Sequence, residues 1–123
     1  MTSPGARSRI RWEGNSNREI RGWPKDVRQN IGAELQRLED RERPLDSRPM
    51  GSSLPGVSEL RDEDGSYWYR LLYWPHSGWI YVLHCFQKRT NQTSRPDIEL
   101  ARERMKRVLL RKDAPAREEN EGA

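Results

Sequence analysis

Two neighbouring runs constrain the fold most: residues 67–74 (YWYRLLYW) and 79–86 (WIYVLHCF), separated by Pro75-His76-Ser77-Gly78. Aromatic and β-branched residues dominate both, so both read as strands. The glycine after the proline marks a hairpin turn between them. Successive side chains of a strand point to opposite faces of a sheet. Here apolar residues occupy both faces, which argues for central strands rather than exposed edges. A third strand, residues 57–62 (VSELRD), precedes them and turns at Glu63-Asp64-Gly65-Ser66, where Asp-Gly is a hairpin signal.

The flanking segments read mostly as helices. Within residues 24–40, Val27, Ile31, Leu35 and Leu38 recur at spacings of four, four and three, forming one stripe of an amphipathic helix. Pro24 suits its first position, and Gly32 weakens it slightly. Residues 9–13 (RIRWE) alternate and read as a short strand. Ser16 and Glu19 have capping-box spacing and start a helical turn carrying Ile20 and Trp23. Near the end, Ser94 caps a last helix, Pro96 suits its first turn and Asp97 completes a box-like pair. Ile98, Ala101, Met105 and Val108 form its apolar stripe. Arg102, Arg104, Lys106, Arg107 and Arg111 fall on the other face, favourable toward the C-terminal end of a helix dipole. Residues 41–56 (RERPLDSRPMGSSLPG) hold three prolines and two glycines. They read as an irregular connection that lies against the sheet or moves over the active surface.

The expected architecture is α+β in the order β-α-α-β-β-β-α, a mainly antiparallel sheet with helices packed on one face and the other face partly open. The domain spans residues 9–111. Residues 1–8 and 112–123 lack apolar periodicity and are expected to be disordered tails.

At 123 residues the chain fits one domain with a single modest core. Its net charge of +4 permits nucleic-acid binding without requiring it, because 19 acidic residues stand among 23 basic ones. The basic set is mostly arginine, a bias that a GC-rich genome produces as readily as phosphate recognition. The single cysteine, Cys85, cannot form an internal disulfide. No stretch is long enough to span a membrane, and the N-terminus lacks the apolar core of a signal peptide, so a cytoplasmic setting is expected. Two histidines and one cysteine offer no zinc spacing, and neither a Gly-rich phosphate loop nor a nucleophile elbow occurs. No metal and no cofactor is expected.

Arg61 ends one strand, Arg70 sits mid-strand, and Lys88 and Arg89 close the third. Strands paired as consecutive hairpins would let these cations approach one another, as a scissile phosphate requires when negative charge develops in the transition state. A mid-strand arginine among aromatics is costly unless it is paired or faces a wet groove. Arg70 therefore also reads as a salt-bridge partner of Glu59 or Asp62, and Lys88, Arg89 and Arg61 as solvated strand ends. His84 has the chemistry of a general base, yet its apolar strand also suits a satisfied core histidine. Aromatic residues beside arginine on an open sheet can stack on unpaired bases or simply pack.

The segment 57–109 resembles the phage-derived Gp49-like branch of the RelE/HigB toxin superfamily. The resemblance rests on Glu59-Leu60-Arg61, on Tyr69-Arg70 with Tyr73 three residues on, and on the run Leu83-His84-Cys85-Phe86-Gln87-Lys88-Arg89-Thr90. The helix start Arg95-Pro96-Asp97-Ile98-Glu99-Leu100-Ala101 adds to these, and Trp12, Trp23-Pro24 and Gly32 extend the likeness to residues 9–111. It implies the toxin of a type II toxin–antitoxin pair, an mRNA endoribonuclease acting commonly in the ribosomal A site by metal-independent 2′-hydroxyl attack. A helix-turn-helix antitoxin would be its partner.

Carried over by motif, Arg70 and Arg89 match phosphate-stabilising arginines, with Lys88 and Arg61 in the same basic cluster. Trp68, Tyr73 and Arg95 are candidate RNA contacts, although Tyr73 should point to the opposite face from Arg70. RelE places lysines where this chain has Val57, Ser58 and Glu59, and carries a late tyrosine where none follows Tyr81 here. The general base stays open between Glu59, His84 and groups of the ribosome. The alternative function is a non-catalytic RNA- or protein-binding phage accessory module with the same fold.

Overall fold

A computed structural model describes residues 8–116. The elements run β1 (Ile10–Trp12), α1 (Ser16–Arg21), α2 (Lys25–Glu39), β2 (Ser47–Pro49), β3 (Ser58–Glu63), β4 (Trp68–His76), β5 (Trp79–Lys88) and α3 (Arg95–Arg111). A short 3-10 turn, Gly51–Ser53, lies between β2 and β3. The fold is mixed α+β. One five-stranded sheet has the order β1-β5-β4-β3-β2 and is antiparallel except for β1, which pairs parallel with β5.

The two apolar runs hold the interior of this sheet. Between them Ser77 and Gly78 both take positive φ, 53° and 80°, the two-residue turn whose twist matches the strands it joins. At the other hairpin the Asp64 carboxylate accepts the backbone N–H groups of Ser66 and Tyr67, and Gly65 takes a φ of 90°.

The connection 41–56 is not wholly irregular. Ser47, Arg48 and Pro49 pair antiparallel with Leu60, Glu59 and Ser58 and form an edge strand. Glu34 on α2 steadies the approach by accepting the N–H groups of Leu45 and Asp46. The proline masks this strand in the sequence. A sheet tolerates proline on an edge, where one row of N–H groups has no ladder partner.

Helices cover both faces of the sheet, which overturns the expectation of one covered and one open face. α1, α2 and the step between them lay Ile20, Val27, Ile31 and Trp23 against Leu60, Leu71, Val82 and Cys85. On the other side α3 lays Ala101 and Val108 against Leu72, Tyr81, Leu83 and Phe86, with Leu54 and Val57 closing the layer. Strands that are apolar on both faces need two layers of cover, because either face left open would hold a large apolar area in water.

The capping box at Ser16 does not form; the Ser16 hydroxyl instead donates to the Val82 carbonyl at 3.2 Å. The cap of α3 does form, with Ser94 accepting the Asp97 N–H. Arg104 departs from the expected polar face and is buried in the packed stripe of α3. The cause lies in β5. The β4–β5 ladder pairs Leu72 with His84 and Tyr73 with Val82, leaving Leu83 as an extra residue. This bulge puts Leu83 into the core under α3 and His84 against Phe86 of the same core. Arg104 takes the Leu83 carbonyl at 2.8 Å and the Asn15 side chain at 3.0 Å.

Residues 112–116, assigned to a tail by the sequence, run along the sheet. Asp113 accepts from the Tyr81 hydroxyl, the Ala114 carbonyl accepts from the Trp79 indole, and Ala116 N–H donates to Ser77. Residues 1–7 and 117–123, the remainder of the expected tails, lie outside the described residues. No described helix is long and apolar enough to cross a membrane.

Candidate functional site

α3 crosses its face of the sheet with its N-terminus toward the ends of β3, β4 and β5 at Glu63, Trp68 and Lys88. Its apolar stripe covers the central part of that face. Beyond it the sheet carries polar residues.

Arg61 and Arg70 stand directly opposite each other in the β3–β4 ladder, and Phe86 stands opposite Arg70 on β5. Two cations in that relation repel, and carboxylates offset them. Arg70 donates from Nη1 to Glu59 Oε2 at 2.6 Å, and Arg61 reaches Asp46 at 3.4 Å. Arg70 is 3 % exposed and Glu59 7 %. The second Arg70 nitrogen, Nη2, donates to the Asn91 backbone carbonyl at 3.0 Å and to the Asn91 side-chain oxygen. The loop after β5 thus closes over the guanidinium. Half-buried Trp68 flanks it, with the ring centroid 5.9 Å from Arg70 Cζ.

A second group adjoins this pair. Trp68 pairs with Lys88 across β4 and β5, so Lys88 lies diagonal to Arg70 on the same face. Lys88 Nζ meets Asp97 Oδ2 at 2.6 Å and donates to the Ser94 hydroxyl at 3.1 Å. His84 Nε2 meets Asp97 Oδ1 at 2.8 Å, and the His84 ring stacks on Phe86. Burial holds His84 below its ordinary value, against the opposing pull of Asp97. The neutral ring therefore carries its proton on Nε2, facing the carboxylate. Its other nitrogen, Nδ1, is buried and has no hydrogen-bond partner among the described residues. Burial pushes Asp97 up, but hydrogen bonds from Lys88, Ser94 and His84 outweigh it and leave the carboxyl below its usual range.

Arg61, Arg70, Lys88, Glu59, His84 and Trp68 therefore share one face. Three other sequence candidates do not join them. Tyr73 points to the opposite face, where it is buried at 4 % exposure and its hydroxyl meets Ser47 at 2.6 Å. Arg89 turns toward Tyr67, whose ring packs with the α1–α2 layer. Arg95 is exposed at the start of α3 and pairs with Glu99.

Two residues of the site escaped the sequence reading. Asn91 sits in a polar loop with no motif to mark it. Asp97 was legible as a cap, but nothing in the spacing connects it to His84 and Lys88 across the chain. Burial pushes the Cys85 thiol up, so it is no ready thiolate. Among the described residues no group of three or more His, Cys, Asp or Glu side chains is arranged to hold a metal ion.

No curated protein matches the chain. The family model described as phage derived protein Gp49-like matches residues 18–106, a span that runs from α1 into α3 and contains every residue of this cluster. The polar cluster thus lies wholly within the matched region, and the chain belongs to the phage-derived Gp49-like family, a RelE-like toxin family.

Proposed function

We propose that the protein is the toxin of a type II toxin–antitoxin pair, an endoribonuclease of the RelE/HigB kind that cuts mRNA on the ribosome in the cytoplasm. The observation that carries this reading is the grouping of Arg70, Arg61 and Lys88 on one sheet face with a carboxylate, Glu59, at 2.6 Å from Arg70. Phosphodiester cleavage by the neighbouring 2′-hydroxyl needs little else. Cations must neutralise charge on the phosphorane, and a base must take the hydroxyl proton.

In this reading Arg70 and Lys88 hold the non-bridging oxygens, and Arg61 adds positive field. Glu59 accepts the 2′-hydroxyl proton as the 2′-oxygen attacks phosphorus. The 5′-oxygen leaves and takes a proton from water, giving a 2′,3′-cyclic phosphate and a 5′-hydroxyl end. The enclosed Nδ1 of His84 argues against His84 as the base. Trp68 offers its ring to a base. Arg70 reaches RNA only after Asn91 lifts away, because the two Asn91 oxygens occupy the donors that a phosphate would use.

Expression of the chain should arrest growth, and a helix-turn-helix antitoxin should relieve the arrest. Mapping of mRNA ends with and without ribosomes should reveal cyclic-phosphate termini, lost in Arg70→Lys, which keeps the charge but not the fork. A folded Arg70→Lys chain that cuts at the parent rate would remove Arg70 from the chemistry. One observation favours a second reading, a non-catalytic RNA- or protein-binding module: the Arg70–Glu59 pair is almost fully buried, as a purely structural ion pair would be. Absence of cleavage together with retained RNA binding would select it.

A further inference from the structure

We propose that Asp97 is a positioning residue that sets Lys88 for the phosphate, with His84 as the brace that orients Asp97. This rests on the nuclease reading for its purpose, though not for its geometry. A lysine on its four-carbon stem has much rotamer freedom to lose, and an unheld ammonium is a poor electrostatic tool. Here Lys88 is held at two points, by Asp97 Oδ2 at 2.6 Å and Ser94 Oγ at 3.1 Å, and its ammonium stands 5.8 Å from the centroid of the Phe86 ring. An ammonium has three hydrogens. Asp97 and Ser94 use two, which leaves one for a phosphate oxygen.

Asp97 is itself held on both oxygens. Oδ1 accepts from His84 at 2.8 Å, and Oδ2 accepts from Ser94 at 2.6 Å as well as from Lys88. Its place in the first turn of α3 also favours the ionised carboxylate through the helix dipole. His84 reaches Asp97 only because Leu83 is an extra residue in β5. Strict alternation from Val82 through Leu83, with no bulge, would instead turn the ring to the α1–α2 face. Arg104 from α3 closes on the bulge carbonyl at 2.8 Å, so the helix that carries Asp97 also fixes the strand that carries His84 and Lys88. Bulges beside active sites commonly re-aim a side chain in this way. His84 is thereby a support for Asp97, and its neutral Nδ1 faces the interior rather than a substrate.

The test combines a double-mutant cycle with a direct view of the ammonium. Cleavage of ribosome-bound mRNA is measured for the parent chain, Lys88→Ala, Asp97→Asn and the double variant, each shown folded by its thermal melt. Asp97→Asn should lower kcat by about 10- to 100-fold with KM little changed, the loss that a misplaced catalytic group brings. In the Lys88→Ala background it should add nothing, because Asp97 acts through Lys88. Equal losses in both backgrounds would mean a general structural role and would overturn the proposal, as would full activity of Asp97→Asn beside an impaired Lys88→Ala.

The chain has four lysines, so 15N-lysine labelling resolves the Lys88 ammonium by NMR. Its signal should exchange slowly in the parent and broaden away in Asp97→Asn. An unchanged signal would also overturn the proposal. A parent chain that leaves every mRNA intact would sink the nuclease reading, and the ammonium signal would still decide whether Asp97 holds Lys88.

Discussion

Arg70 and Glu59 meet at 2.6 Å across the β3–β4 ladder, while the residue directly opposite Arg70 is a second arginine, Arg61. The carboxylate is what permits a buried cation at that position. Glu59→Ala should therefore destabilise the fold by about 3–5 kcal/mol, the usual cost of leaving one member of a buried pair unpaired. Replacement of both residues by methionine should recover much of that loss. Urea denaturation of the single and double variants checks this; a double variant as weak as Glu59→Ala would show that burial of lone charge is not the cause.

Asn91 competes for the Arg70 donors that a phosphate needs. Asn91→Ala removes the side-chain oxygen and keeps the backbone contact. Loss of about 1 kcal/mol of competing hydrogen bond should tighten binding of single-stranded RNA roughly fivefold. Fluorescence anisotropy at fixed salt measures it. Unchanged affinity would mean that RNA binds without moving the loop.

Salt should report how many cations touch RNA. Two phosphate contacts, from Arg70 and Lys88, predict a slope of about 1.4 in log Kd against log salt, at ~0.7 per contact on single strands. Lys88→Ala should reduce the slope by about 0.7. Arg95→Ala should leave it almost unchanged, because Arg95 lies off the cluster and pairs with Glu99. A slope lowered equally by both variants would spread the interface over α3.

His84 makes stability depend on pH in a stated direction. Burial holds its folded value below the ordinary 6.5, with Asp97 pulling the other way. The unfolded chain therefore binds the proton first as pH falls. The stability held by the neutral ring is complete above 6.5 and is lost as pH drops from there through the folded value. Asp97, held below 3.8, contributes stability that is lost only in stronger acid. The melting temperature should drop between about pH 7.5 and about pH 5.5, and His84→Gln should flatten that slope. Parallel slopes in the two proteins would contradict it.

Arg104 couples α3 to the rest of the fold. Arg104→Met leaves the Leu83 carbonyl and the Asn15 side chain without a donor and should cost about 1–3 kcal/mol. Gly14→Ala attacks the same contact from the other side. Its Cβ would lie 2.4 Å from the Arg104 guanidinium carbon, at a φ of +56° that itself costs an alanine about 1–2 kcal/mol. Thermal melts should show both variants weakened and the pair less than additive.

The chain's local pattern was sufficient for the elements that depend on neighbours in sequence. Val27, Ile31 and Leu35 mark α2 by their spacing, and Ser94 marks the start of α3 because a cap needs only its own first turn. The apolar runs of β4 and β5 announced interior strands, but the expectation of one partly open face was corrected only by the helices packed on both sides. Which helix supplies each layer depends on contacts between residues far apart. So does β2, whose proline hides it until β3 offers an edge. The extra residue at Leu83 has no local signature, since a bulge exists only against a partner strand. That bulge placed His84 beside Asp97, and α3 brought Asp97 to Lys88. The cations Arg61, Arg70 and Lys88 were named by the sequence alone. Alternation along β4 likewise sends Tyr73 away from Arg70. The chain's turn after β5 decided that Arg89 faces Tyr67 and that Asn91 covers Arg70. Composition and periodicity determine which groups a strand or helix carries; only packing of the layers decides which of those groups meet.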